Sequence, residues 1–166
     1  LAIDTSTMIS TVTIANEDEI LGDFNVNQRK THSESLVPMI ETLLDLLGMN
    51  IKDIDKFVIA EGPGSFTGLR IGMTIAKTLA QVNQKELIPI STLLALANNS
   101  SSEKLKVPML DARGNRVYGA VYDKDFKEII KQDLYTIEDF SKLVNELESE
   151  VELIGDISLK YEDLFK

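Results

Sequence analysis

The chain has 166 residues, of which 43% are hydrophobic and 27% are charged, with 17 basic against 27 acidic side chains and no cysteine. This composition is typical of one ordinary or two small globular domains. It excludes wholesale disorder, disulfides, thiolate metal sites and cysteine nucleophiles. Because no apolar run reaches about 18 residues, we expect no membrane-spanning helix. A net charge of −10 disfavours direct binding of nucleic acid, so any nucleic acid in its pathway should be held by a partner.

The first half of the sequence predicts a three-stranded meander followed by alternating helices and strands. The predicted strands span residues 1–3, 11–15, 20–26, 57–60 and 87–90. The predicted helices span residues 31–47, 67–83 and 92–97. Thr31 and Glu34 have the spacing of a capping box, and Pro38 should lie in or near the first turn of that helix or mark a kink. The chain lacks an initiator methionine, begins inside an apolar run and has no signal-peptide pattern, so we expect it to be trimmed at its start.

The second half repeats this order of elements after the polar segment 98–102, which has the composition of a linker. The predicted strands are 107–110, 117–122, 126–131 and 151–154, and the predicted helices are 137–148 and a segment from Ser158 onward. We therefore predict a duplicated α/β fold with domains at 1–98 and 103–166, the second copy incomplete. A single α+β domain is the alternative.

Each predicted first strand ends in an aspartate, Asp4 or Asp111, directly before a turn. In a duplicated fold the two carboxylates should face each other across a cleft, where phosphotransferases hold magnesium and phosphates. One candidate function is therefore a nucleotide-dependent phosphotransferase or ATPase that binds ATP or ADP with Mg²⁺. Its candidate nucleotide- and anion-binding residues are Asp4, Thr5, Ser6, Thr7, Gly62, Gly64, Ser65 and Asp111.

Two predicted helices carry more apolar surface than one sheet face needs. The second has small residues four apart, at Gly68, Gly72, Ala76 and Ala80, which permit close approach of another backbone. The two helices could bury their excess against each other or present it to a partner. The single histidine, His32, is predicted to lie at the surface or in a helix N-terminal turn, and one histidine without cysteines disfavours a catalytic zinc site.

Three motifs, Ala2–Thr7, His32–Glu34 and Gly62–Gly72, together resemble the bacterial TsaB (YeaZ) family of tRNA threonylcarbamoyladenosine biosynthesis, which is also described as glycoprotease-like or peptidase M22-like. The segment 111–113, followed by Val117 and Tyr118, also fits that family. The resemblance implies an actin-like ASKHA (ribonuclease H-like) βββαβαβα fold and a cytoplasmic location. It implies pairing with a catalytic TsaD-type paralogue, work with a TsaE-type ATPase, a homodimer when alone, and tRNA contact only through the complex.

The resemblance also implies a scaffold without catalytic residues or an intrinsic cofactor. TsaD has a metal-binding His-x-x-x-His where this chain has Thr92 and Leu96, and neither side chain replaces a histidine ligand. Ser6 stands where many actin-like phosphate hairpins have glycine, which disfavours nucleotide binding. In the family the first two helices form the partner interface, so the expected interface residues are Leu36, Met39, Ile40, Leu43, Arg70, Gly72, Met73 and Lys77. On this basis we expect Gly72→Arg to abolish pairing and leave the fold intact.

Overall fold

The computed structural model describes residues 1–27 and 32–165, and the chain divides into two compact units, Leu1–Ile90 and Ser91–Lys166. Thr31 lies outside the described residues, so its predicted capping box with Glu34 is not tested. Among the described helices, none is long and apolar enough to cross a membrane.

The first unit is built on a mixed five-stranded sheet. Its strands are β1 (Ala2–Asp4), β2 (Ser10–Ala15), β3 (Ile20–Val26), β4 (Lys56–Gly62) and β5 (Glu86–Ser91), in the order β3-β2-β1-β4-β5. β1 pairs antiparallel with β2 and parallel with β4, as expected for a meander followed by a crossover. The predicted bounds of β3 are confirmed without change.

Helices α1 (His32–Leu46) and α2 (Phe66–Asn83) pack on the sheet of this unit. Alternation along β1 and β2 directs Ile3, Val12 and Ile14 into a common core with both helices. Gly22 makes room on β3, where an added Cβ would lie 2.7 Å from Leu43 Cδ1. Pro38 lies in the second turn of α1, one turn further in than a first-turn proline.

The second unit has a four-stranded sheet among the described residues. Its strands are β6 (Leu105–Asp111), β7 (Arg116–Tyr122), β8 (Glu128–Thr136) and β9 (Val151–Ile154), in the order β8-β7-β6-β9. β6 pairs antiparallel with β7 and parallel with β9. The first strand of each sheet therefore has the same neighbours in the same directions, which confirms the predicted duplication and the actin-like fold.

Helices cover both faces of the second sheet. These are α3 (Thr92–Ala97), α4 (Ile137–Asn145) and the short α5 (Ser158–Tyr161). Val107 and Met109 pack with α4, whereas Leu110, from the opposite face of β6, packs with α3. Buried apolar residues on both sides explain why β6 is a nearly continuous apolar run.

The boundary between the units differs from the expected one. From the sequence we expected α3 to belong to a first domain that ends at residue 98. In the structure the second unit begins at Ser91, and Leu93 and Ala97 of α3 pack against Leu110. The segment after α3, predicted to be a linker, is also fixed to that unit. The buried Lys106 donates from Nζ to the Ser102 carbonyl at 2.7 Å. The backbone carbonyl of Ser102 thus provides a hydrogen-bond acceptor for the buried ammonium group of Lys106.

Candidate partner surface and the β1–β2 loop

The first turn of α2 is fixed to the β1–β2 loop (Thr5–Ile9). The Ser65 N–H donates to the Ser6 carbonyl at 2.6 Å, and Thr5 Oγ1 donates to the Gly68 carbonyl at 2.8 Å. Ser65 also caps α2, because its Oγ accepts from the Gly68 N–H at 3.3 Å. The Ser65 N–H and the Gly68 carbonyl at the N-terminus of α2 are therefore already hydrogen-bonded to the β1–β2 loop.

Close backbone packing explains the glycines at this junction. A Cβ added at Gly64 would lie 2.4 Å from the Ser6 carbonyl oxygen, and one at Gly68 would lie 2.0 Å from that of Thr5. At Gly72 it would lie 2.2 Å from Thr5 Oγ1. The small-residue stripe thus allows α2 to approach its own sheet. The expectation that Gly72→Arg leaves the fold intact is corrected, because Gly72 is buried in the chain.

The two aspartates predicted to hold magnesium have matching local geometry. Asp4 Oδ1 accepts from the Ser6 N–H at 2.7 Å, and Asp111 Oδ1 accepts from the Arg113 N–H at 2.8 Å. Each carboxylate therefore stabilises the turn that follows its strand. Among the described residues, no group of three or more His, Asp or Glu side chains could hold a metal ion.

The remaining predicted anion-binding residues divide between buried and exposed positions. Ser6 is buried and its Oγ has no hydrogen-bond partner, whereas Thr7 is exposed and its Oγ1 accepts from the Ile9 N–H at 3.2 Å. Gly62 ends β4 with a φ of 116°, which favours glycine. Gly64 contacts the loop backbone directly. Nucleotide binding by these residues stays a prediction.

The single histidine joins α1 to the same loop. His32 Nε2 lies 3.0 Å from the Thr7 carbonyl, and its Nδ1 lies 2.6 Å from Ser10 Oγ. Because a carbonyl only accepts, we assign the proton to Nε2 and let Nδ1 accept from the Ser10 hydroxyl. His32 is the first residue of α1, which confirms the predicted helix N-terminal position.

The expected interface residues on α1 are buried within the chain. Leu36, Met39, Ile40 and Leu43 form the sheet-facing stripe and belong to the core of the first unit. These side chains therefore stabilise the fold, and any partner contact on α1 would have to use its exposed residues. Leu46, which is 70% exposed, is the largest apolar example.

The outward side of α2 brings together three of the expected interface residues. Arg70, Met73 and Lys77 line an open groove of about 310 Å³, here called the α2 groove. Its other lining residues are Glu61, Phe66, Leu69 and Thr74. The Arg70 guanidinium lies 3.9 Å from the centroid of the Phe66 ring, which is 68% exposed. Sequence reasoning missed Phe66, although its i,i+4 spacing to Arg70 predicts contact on a helix.

A larger groove, of about 650 Å³, lies along β9 in the second unit. Four glutamates and Lys104 line it, together with apolar residues of β9 and α5. None of the candidate site residues predicted from the sequence lines this groove.

Comparison with known proteins identifies the family. The family model "TsaD: tRNA N6-adenosine threonylcarbamoyltransferase" matches residues 19–161. The "tRNA threonylcarbamoyladenosine biosynthesis protein TsaB" of Bacillus subtilis (strain 168) is 33% identical over 164 residues, covering 96% of this chain and 72% of that protein. The chain belongs to the TsaB (YeaZ) family. The protein with the same description from Escherichia coli (strain K12) is 34% identical over 128 residues, covering 75% of this chain and 55% of that one.

The fold comparison agrees with this family. The solved structure "YeaZ from Pseudomonas aeruginosa" matches with a TM-score of 0.69 and 28% identity, over 81% of this chain and 64% of that chain. The chain therefore spans a little over half to nearly three quarters of the length of these relatives. The TsaB (YeaZ) resemblance carried by the sequence motifs is confirmed.

Proposed function

We propose that this chain is a non-catalytic subunit of tRNA threonylcarbamoyladenosine synthesis that binds and activates a TsaD-type catalytic paralogue. The relatives' shared description, tRNA threonylcarbamoyladenosine biosynthesis protein, supports the process. The α2 groove supports binding of a protein partner. In this proposal a TsaE-type ATPase and the tRNA join through the complex, which acts on adenosine 37 in the cytoplasm.

The α2 groove carries the proposal because its residue types suit a protein interface. Aromatic, methionine and arginine side chains are enriched in such interfaces, and Phe66, Met73 and Arg70 supply one of each. Stacking on Phe66 orients the Arg70 guanidinium before a partner arrives, which reduces the entropy lost on binding. Glu61 and Lys77 add charges of both signs, so a second copy of the same surface could also be complementary when the chain is alone.

The proposed non-catalytic role rests on the side chains of α3, which lack histidine at the two positions where a metal ligand would be needed. The resemblance to TsaD implies that Thr92 and Leu96 stand where TsaD has its His-x-x-x-His pair. Thr92 is buried in the first turn of α3, and Leu96 packs in the α3-side core. Neither side chain offers the nitrogen ligand that a metal site of that type needs. Activity is therefore assigned to the paralogue.

Substitutions in the α2 groove should weaken partner binding selectively. We expect Phe66→Ala and Lys77→Glu each to weaken binding of the TsaD-type paralogue about tenfold, which corresponds to about 1.4 kcal/mol. Phe66→Ala removes the exposed aromatic anchor, and Lys77→Glu reverses a charge that lines the groove. Isothermal titration calorimetry with the purified paralogue of the same organism measures the dissociation constants.

The chain offers matched controls for both substitutions. Val82→Ala truncates another highly exposed apolar side chain of α2, and Lys142→Glu reverses an exposed helical lysine in the second unit. Both should bind within twofold of the unsubstituted protein. Equal affinities for all four variants would contradict the assignment of the α2 groove as the partner surface.

A further inference from the structure

Both helices of the first unit are tied at their first turns to the β1–β2 loop. On the α2 side the bonds are those from Thr5 Oγ1 to the Gly68 carbonyl and from the Ser65 N–H to the Ser6 carbonyl. On the α1 side His32 binds the Thr7 carbonyl and the Ser10 hydroxyl. The loop, together with the first residue of β2, thus contacts the N-termini of both helices.

The first two residues of this loop are buried, although loops that only connect two strands are usually exposed. Thr5 and Ser6 of the loop and Ser10, the first residue of β2, are buried, whereas residues 7–9 at the loop tip are exposed. The backbone of α2 approaches so closely that Gly68 has no space for a methyl group, and an added Cβ there would also lie 3.4 Å from His32 Cδ2. The loop and the two helix starts therefore form one packed cluster, in which a shift of the loop moves both helices.

This cluster lies directly behind the candidate partner surface. Phe66 follows the N-cap Ser65, and Arg70 lies two residues after Gly68, so both belong to the part of α2 that the loop fixes. Thr5 is fully buried and makes no part of the α2 groove. Its hydroxyl can therefore affect a partner only through the position of α2.

We propose that Thr5 and His32 are positioning residues for partner binding: they set the first turns of α2 and α1 so that the Phe66–Arg70 pair is presented in its binding arrangement. This inference rests on the proposed function, because it concerns the same surface. It gives the turn formed by Asp4–Thr7 a role in protein recognition that requires no nucleotide.

Isosteric replacement of Thr5 separates its hydrogen bond from its shape. Thr5→Val keeps the volume and removes the donor to the Gly68 carbonyl, whereas Thr5→Ser keeps the donor. We expect Thr5→Val to weaken binding of the TsaD-type paralogue about fivefold and to speed hydrogen exchange in residues 66–70. Thr5→Ser should restore binding to within twofold. Calorimetry and hydrogen-exchange mass spectrometry on the full-length protein give the two readouts.

A second variant tests the α1 side independently and keeps the inference testable if Thr5→Val does not fold. His32→Phe removes the hydrogen bonds to the Thr7 carbonyl and the Ser10 hydroxyl and should also weaken partner binding several-fold. Wild-type affinity in folded Thr5→Val and His32→Phe would overturn the positioning role alone. Equal losses in Thr5→Val and Thr5→Ser would overturn the role of the hydroxyl. Absence of binding by the unsubstituted protein would instead contradict the proposed function. In that case there would be no partner surface for Thr5 and His32 to position.

Discussion

Gly72→Arg should unfold the first unit, with a loss of more than about 4 kcal/mol in its free energy of unfolding. The added Cβ would lie 2.2 Å from Thr5 Oγ1 and 3.2 Å from Ile59 Cδ1, so any side chain at this position starts inside the packed core. A guanidinium forced into this core would also be buried without a partner. Urea unfolding followed by far-ultraviolet circular dichroism measures the change, and hydrogen exchange assigns it to Leu1–Ile90.

Thr78→Arg is the control, because Thr78 is exposed on the same helix. That variant should unfold within about 0.5 kcal/mol of the unsubstituted protein, as is usual for surface substitutions. A stable, cooperatively folded Gly72→Arg protein would show that α2 does not pack on Thr5 as closely as described.

Phe140→Ala should destabilise the second unit by about 3–5 kcal/mol, the usual cost of deleting a buried aromatic ring. Phe140 is fully buried at the centre of the core between α4 and the sheet. Its ring stacks on Tyr135 with centroids 5.1 Å apart and meets Phe165 edge-on at 6.2 Å. Gly119 leaves the space that the ring fills, since a Cβ there would lie 2.6 Å from Phe140 Cζ.

The matched substitution on α4 is Leu143→Ala, whose side chain is partly exposed. It should cost less than about 1.5 kcal/mol, because less apolar area leaves the protein interior. Thermal unfolding of the two variants side by side gives the comparison. Similar small losses in both would contradict the central position of Phe140 in the second core.

Local sequence signals predicted the order of elements well. Ser91 and Thr136 cap α3 and α4, since their hydroxyls accept from N–H groups three residues on. The strand 151–154 was also predicted with its observed bounds. These signals are short-range hydrogen-bonding and burial patterns, which depend little on the rest of the fold.

The bounds of the edge strand β8, the end of α4 and a short 3₁₀ turn were predicted less well. β8 was expected at 126–131 but extends over Glu128–Thr136. It is an edge strand whose residues are mostly exposed or half-buried, so it lacks the alternation that marks a half-buried strand. α4 ends at Asn145, three residues before the expected end, and the 3₁₀ turn Ile51–Asp53 was not predicted.

The candidate partner surface could be predicted only in part, because apolar periodicity does not say what covers a helix face. The stripe that includes Leu36 and Leu43 is buried by the chain's own sheet, and Gly72 faces the β1–β2 loop. Arg70 and Lys77 are exposed and line the α2 groove, in keeping with the rule that charged side chains are rarely buried unpaired, and their part in an interface stays a prediction. The spacing of small residues predicted that another backbone approaches α2 closely. In the structure that backbone belongs to the β1–β2 loop of the same chain.

The most direct test of the central claim is size-exclusion chromatography with light-scattering mass detection. The full-length protein is mixed with the TsaD-type paralogue of its own organism and compared with each protein alone. We predict a single species whose mass is that of a stoichiometric complex. Separate elution of the two proteins at their individual masses, both with and without ATP and Mg²⁺, would contradict the account.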